Sequence, residues 1–196
     1  MLPPCQPPAS RVGETSTVEF FFYHRDRVGS TPLREELNDA HLAYMDRFAD
    51  GIIARGPTFA DEEVLTGSVH IVDLPSVADA RTFAFDEPNY QAGAYRDVMV
   101  RRWRNLLGRT MWDFGDHGDG GKYLVVGLGS GPLDERLPDD ADALIAYGPL
   151  LSDDGGTWVG TAALVTAPDP EAARSILDAR PYADIEVHNW VFGGRR

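Results

Sequence analysis

Residues 52–85 read IIARGPTFADEEVLTGSVHIVDLPSVADARTFAF, and residues 144–177 read LIAYGPLLSDDGGTWVGTAALVTAPDPEAARSIL. Gly56-Pro57 in the first returns as Gly148-Pro149 in the second. Gly67-Ser68 returns as Gly160-Thr161, and Leu74-Pro75-Ser76 as Ala167-Pro168-Asp169. Arg81 recurs as Arg174, and Pro88 as Pro181. The first pair lies 92 residues apart and the others 93, an offset that chance does not hold across so many landmarks. This period is too long for a solenoid unit and suits a duplicated small domain.

Working outward, the two copies predict the same elements. Thr17 to Tyr23 (TVEFFFY) is β-branched and aromatic, and Lys122 to Gly127 (KYLVVG) matches it as a strand. Pro32 to Asp50 reads as one helix, with Leu33, Leu37, Ala40, Tyr44 and Phe48 at spacings of three and four. Thr31 is its expected N-cap, Pro32 its first turn and Gly51 its stop. Ile52 to Phe59 and Ser68 to Leu74 read as strands joined by an acidic loop. Ser76 starts a second helix to about Phe85, and Asp169 takes the same capping place before Pro170. Asp97 to Trp103 and Asp184 to Phe192 are the closing strands. Each copy is therefore β-α-β-β-α-β, the ferredoxin-like pattern, and the fold class is α+β.

The organisation expected is a Pro-rich leader over 1–16, one module over 17–103, a linker over 104–121 and a second module over 122–196. Within the linker, GDHGDGG is a flexible connector, while Met111, Trp112 and Phe114 are apolar enough to pack on a module. The chain has 196 residues, 43% hydrophobic and 25% charged, as in an ordinary globular protein. Its net charge of −13 and sequence pI near 4.6 repel phosphate backbones and anionic lipid, so neither a nucleic acid nor a membrane is the expected partner. Three arginines, Arg101, Arg102 and Arg104, read as the solvated end of a strand. One cysteine, Cys5, cannot make an internal disulfide. The leader lacks an apolar core and a basic start, so it does not read as a signal peptide, and the default compartment is the cytoplasm.

The first module reads FFYHRDRVGSTPLREELNDAHLAYM, then ARGPTFADEEVLTGSVHIVDL, then FDEPNYQAGAYRDVMVRRW. These residues resemble the YCII-related family from about Val18 to Trp103. The resemblance is carried by Asp26 after strand one, Arg34 and His41 on helix one, Gly56-Pro57, Thr66-Gly67-Ser68, and Glu87-Pro88 after helix two. It implies a ferredoxin-like module that pairs sheet to sheet as a dimeric α/β barrel, and an active site made of a histidine and a carboxylate. Some members are associated with dechlorination of hydroxylated aromatics. The family usually has Asp before the proline, where this chain has Glu87 preceded by Asp86.

The second module resembles the family more weakly, over Lys122 to Phe192. Counting back from Gly148 by the His41-to-Gly56 interval reaches Leu133, and Arg180 stands where an acid precedes the proline. Six residues matching the NYQAGAY turn are missing. It reads as a partner that replaces the second subunit of a homodimer, an intrachain pseudo-dimer with or without further self-association.

The candidate site follows from one helix face. His41 and Arg34 are seven residues apart, and seven steps of ~100° return to within ~20°. A carboxylate beside His41 would fix its tautomer and raise its basicity for general acid/base work. Glu87 or Asp86 is that carboxylate. Without it, His41 is a core-edge histidine bonded to backbone. Arg34 has no acid three or four residues away, so it is the candidate to hold an anionic group. Ser68, His24 and Asp26 are expected at the mouth; plain turn chemistry is the alternative for Ser68. His70 is as well explained as a satisfied barrel residue. HExxH, CxxC, a complete GxGxxG and GxSxG are all absent from the sequence, so no metal and no nucleotide cofactor is expected.

Three functions remain open. One is an enzyme using His41 with Glu87 or Asp86 on a small polar molecule, anionic or aromatic, by elimination, isomerisation or hydrolysis. Another is a non-catalytic binding module, and the third a structural accessory domain.

Overall fold

A computed structural model describes residues 17–60, 64–115, 120–133, 135–177 and 182–194. The leader with Cys5, the acidic loop at 61–63, His117 in the connector and Arg180-Pro181 lie outside the described residues. The protein is mixed α+β around eight antiparallel strands. In chain order come β1 (Val18–Asp26), α1 (Thr31–Glu36), α2 (Asn38–Asp46), β2 (Ile52–Phe59), β3 (Leu65–Leu74), α3 (Val77–Phe85), α4 (Pro88–Gln91), β4 (Tyr95–Trp103), β5 (Gly121–Gly129), β6 (Leu144–Leu151), β7 (Trp158–Ala167), α5 (Pro170–Ser175) and β8 (Tyr182–Trp190). The strands close in the order β1-β3-β2-β8-β5-β7-β6-β4.

Two long-paired groups of four make that ring. β1 pairs with β3 and β4, and β3 with β2; likewise β5 pairs with β7 and β8, and β7 with β6. Two short seams join the groups. β2 meets β8 at Thr58–Trp190 and Phe59–Asn189, and β4 meets β6 at Arg102–Leu151 and Trp103–Leu150.

Alternation along the strands explains the layers. Phe21 and Tyr23 of β1 join a core that also draws on Trp103, Leu124, Ile145, Leu164 and Trp190, so it belongs to both groups. Phe20 and Phe22 face the other way, onto Tyr44 and Met45 of α2 and Ala80, Phe83 and Ala84 of α3. A third core lies under α5, around Tyr123, Val125 and Leu177. Met111 is buried in the shared core with Trp112 and Phe114 against it, so this part of the 104–121 segment packs.

At both seams a tryptophan crosses onto a glycine. A Cβ on Gly56 would come within 2.7 Å of Trp190 Nε1, and one on Gly148 within 2.8 Å of Trp103 Cε2. The recurring Gly-Pro pairs are thus the places where a tryptophan from the other group must lie on bare backbone.

The single helix expected over 32–50 is two, broken at Leu37 (φ −91°, ψ 3°), with a 3₁₀ turn over Ala49–Gly51. Ser30, not Thr31, holds the N-cap position, and its side chain makes no capping bond. Gly51 ends the 3₁₀ turn rather than the helix. Ser76 caps α3 through the Asp79 N–H at 3.2 Å, and Asp169 caps α5 through the Ala172 N–H at 2.8 Å. β3 begins at Leu65, three residues before the expected Ser68, and β8 stops at Trp190 rather than Phe192. Between β5 and β6 the described residues hold only a 3₁₀ turn, Ala141–Ala143. No described helix is long and apolar enough to cross a membrane.

Candidate active site

The polar residues singled out from the sequence collect on the outer face of β1 and β3, beneath α1, α2 and α4. Strand alternation sends His24 to the same side as Phe22, whose ring it meets at 6.4 Å. His24 is opposite Ser68 in the ladder, and Phe22 opposite His70, so both β3 residues share this face.

His41 Nδ1 and Glu87 Oε1 are 2.7 Å apart. The other oxygen, Oε2, accepts the Tyr90 N–H at 2.8 Å, so Glu87 is also the N-cap of α4. Its side chain is fully buried, while that of His41 keeps 13% of its surface open. Burial pushes the Glu87 carboxyl up; the hydrogen bond and charge of His41, with the Tyr90 and Asn89 N–H groups, outweigh it and leave the carboxyl below its ordinary value. Glu87 is therefore an anion that accepts from Nδ1–H, and Nε2 is the ring nitrogen that Glu87 does not engage. Between the two acids weighed for this place, Glu87 makes the contact. Asp86 is exposed at the C-cap of α3.

Arg34 is held from two sides. Its Nη1 donates to both oxygens of Asp26 at 2.9 and 2.8 Å, and its Nη2 donates to Ser68 Oγ at 2.7 Å. The guanidinium also lies 5.5 Å from the Tyr95 ring centre. Burial raises the Asp26 carboxyl against the lowering pull of Arg34, with Glu87 adding to the rise. Asp26 and Ser68 already occupy both terminal nitrogens, so Arg34 is less free for an anionic ligand than its spacing from acids in sequence suggested.

Two more imidazoles back the dyad. His24 and His70 are 5.7 Å apart, and His70 is 6.0 Å from His41. Burial lowers His24 to about 4, partly offset by its hydrogen bond to the Ala84 carbonyl and by Glu87. His70 is lowered well below its ordinary value, again chiefly by burial, with the neighbouring His24 and His41 adding to it. Both are neutral at physiological pH. The Nδ1 atoms of His24 and His70 and Oδ1 of Asn89 are buried without a hydrogen-bond partner.

A cleft of about 560 Å³ opens beside this cluster. Arg34, Ser68, His70 and Asn89 line its polar side, and Pro57, Phe59, Leu65 and Phe192 its apolar side. Asn38, one turn before His41, also lines it; His41 and Glu87 themselves do not. The size fits a small ligand. Sequence reading missed Asn38, Asn89, Tyr95 and Arg55. Asn89 and Tyr95 lay within the quoted NYQAGAY turn, whereas nothing local marked Phe192. Among the described residues no group of three acidic, histidine or cysteine side chains is placed to hold a metal.

A crystallised 5-chloro-2-hydroxyhydroquinone dehydrochlorinase from Burkholderia phenoliruptrix AC1100, in complex with 2,5-dihydroxybenzoquinone, is 30% identical; the match covers 52% of this chain and 99% of that one, with a TM-score of 0.41. A proposed monooxygenase from Fusobacterium nucleatum is 7% identical over 90% of this chain and 92% of that one, with a TM-score of 0.49. An anthrone oxidase-like protein is 8% identical over 89% and 90%, with a TM-score of 0.46. No curated protein sequence matches significantly. The YCII-related domain model matches residues 18–104, the span that holds Asp26, Arg34, His41, Ser68 and Glu87, and this part of the chain is a YCII-related domain.

Proposed function

We propose that the protein is a small-molecule enzyme in which His41 moves a proton on a hydroxylated ring compound, with Glu87 orienting the imidazole. The carrying observation is the 2.7 Å contact between His41 Nδ1 and a buried carboxylate, at the edge of a ligand-sized cleft. A carboxylate behind Nδ1 favours the imidazolium that forms when Nε2 takes a proton. Elimination of HCl is the reaction class best supported, because the 30% identical relative is a dehydrochlorinase. In that step one proton passes to His41 Nε2 and chloride leaves. Arg34 and Ser68 line the pocket rather than react; His24 and Asp26, expected at its mouth, are not in its lining, and Asp26 instead holds Arg34.

The last four strands are, in this reading, a companion module that stands in for the second subunit of a dimer. Their pairing pattern repeats that of the first four. By the shared ladder, Gly127 stands at the place of His24, Ala163 at that of His70 and Gly129 at that of Asp26. Tyr182 and Leu177 occupy the space a side chain at Gly127 would need, the nearest atoms at 2.6 and 2.8 Å. Chemistry is thereby confined to residues 17–103.

The test is turnover of 5-chloro-2-hydroxyhydroquinone, followed by chloride release, in the wild type, His41→Ala and Glu87→Gln. Loss of release in His41→Ala is expected; undiminished release removes the mechanism. One observation favours a non-catalytic binding module instead: the cleft lining stops at Asn38 and His70, short of His41. Under that alternative the bound compound is recovered unaltered.

A further inference from the structure

The cleft beside the dyad is not built by the first four strands alone. Phe192, Gly193 and Gly194 line it, and they follow β8 at the far end of the chain. Backbone bonds carry the β2–β8 seam past its two paired residues. The Val191 N–H donates to the Pro57 carbonyl at 3.3 Å, and the Gly193 N–H to the Arg55 carbonyl at 3.1 Å. Gly194 has φ +80° and lies where a Cβ would strike the Arg55 guanidinium, so only glycine lets the segment run flat over β2.

That close approach sets Phe192 in place. Its ring leans on Trp190 at 5.0 Å and 57°, and Lys122 Nζ is 5.6 Å from its centre. Trp190 is itself fixed against Gly56. Phe192 is nevertheless 39% exposed, an apolar ring held rigidly on the wall of a polar-floored cleft.

We propose that the segment 191–194 is the specificity wall of the cleft, and that Phe192 is the surface against which a planar ring of the ligand packs. The hydrogen-bonding groups come from the first four strands and their helices. The selection for flatness comes from the segment that follows the last strand, so the companion module contributes a residue to the site it does not itself contain. The proposal rests on the reading of this cleft as the ligand site. It assigns Phe192 a role in affinity and none in proton transfer.

The experiment titrates the full-length chain calorimetrically with 2,5-dihydroxybenzoquinone and measures turnover of 5-chloro-2-hydroxyhydroquinone. The variants are Phe192→Ala, Phe192→Tyr, Gly194→Val and His41→Ala, each first checked for an unchanged melting profile. Losing an aromatic contact predicts about ten-fold weaker binding for Phe192→Ala, with KM raised and kcat nearly unchanged. Phe192→Tyr, which keeps the ring, restores binding, and Gly194→Val, which keeps the ring but lifts the segment, weakens it. Wild-type affinity in Phe192→Ala overturns the proposal, as does failure of the wild type to bind the quinone. If Phe192→Ala binds normally while His41→Ala loses turnover, the wall is wrong and the dyad stands. If Phe192→Ala weakens binding while His41→Ala turns over normally, the wall stands and the proton-transfer role falls.

Discussion

At the level of single residues, burial and charge pull against each other, and the outcome sets a pH dependence. His24 sits at about 4 when folded against an ordinary 6.5, and His70 is lowered in the same direction. A histidine with a lowered folded value contributes stability when neutral. That stability is full above 6.5 and is lost as pH falls from 6.5 towards the folded value, because the unfolded chain binds the extra proton. Each histidine contributes a slope of up to ~1.4 kcal/mol per pH unit in that window. Glu87 is also lowered, so its contribution is present above the ordinary 4.5 and is lost below it. All three therefore destabilise the fold in acid. Urea midpoints at pH 7, 5.5 and 4.5 should fall steadily, and a flat profile contradicts the assignment of buried neutral imidazoles. Glu87→Ala removes the acceptor of both His41 Nδ1–H and the Tyr90 N–H. It should cost about 1–3 kcal/mol at pH 7 in the same assay.

Among the elements, the segment between β1 and β2 shows how a periodic pattern can miss both continuity and part of a face: Ala40 is exposed, and Met45, outside the pattern, is buried. Leu33, Leu37, Ala40 and Tyr44 keep the spacing of one helix, yet the backbone breaks at Leu37. Arg34 is held at one end by Asp26 and Ser68, and His41 at the other by Glu87. Those long-range bonds are invisible to local spacing. Where capping is local, the sequence is reliable: Ser76 accepts from Asp79 and Asp169 from Ala172. Ser76→Ala should lower stability by about 1 kcal/mol, read from the urea midpoint, since it leaves the Asp79 N–H without its acceptor.

For the whole molecule, the two groups of strands share two ladder pairs at each seam, with a few backbone bonds beyond them, but one central core. Trp190 and Trp103 each cross a seam to lie on Gly56 and Gly148. Cooperation between the groups should therefore come from buried side chains rather than from the ladder. Calorimetry of the full chain should show one unfolding transition; two resolved transitions contradict the shared core. Trp190→Ala should cost about 3–5 kcal/mol, and it should weaken ligand binding as well, because Trp190 backs Phe192.

The sequence by itself determined the strand pattern, the caps of α3 and α5, the recurring Gly-Pro landmarks and the family resemblance, because each is written in neighbouring residues or in a fixed offset. It also named His41, Glu87 and Arg34 as candidates, through the motifs of residues 18–104. Tertiary structure alone decided that Glu87 rather than Asp86 meets His41, since one step along the chain turns a side chain from solvent to interior. It alone tied Arg34 to Asp26 and Ser68. It alone brought Phe192 to a cleft whose residues from the first four strands and their helices lie more than a hundred positions away in the chain, because strand pairing and the fit of a tryptophan on a glycine join places that no local pattern connects.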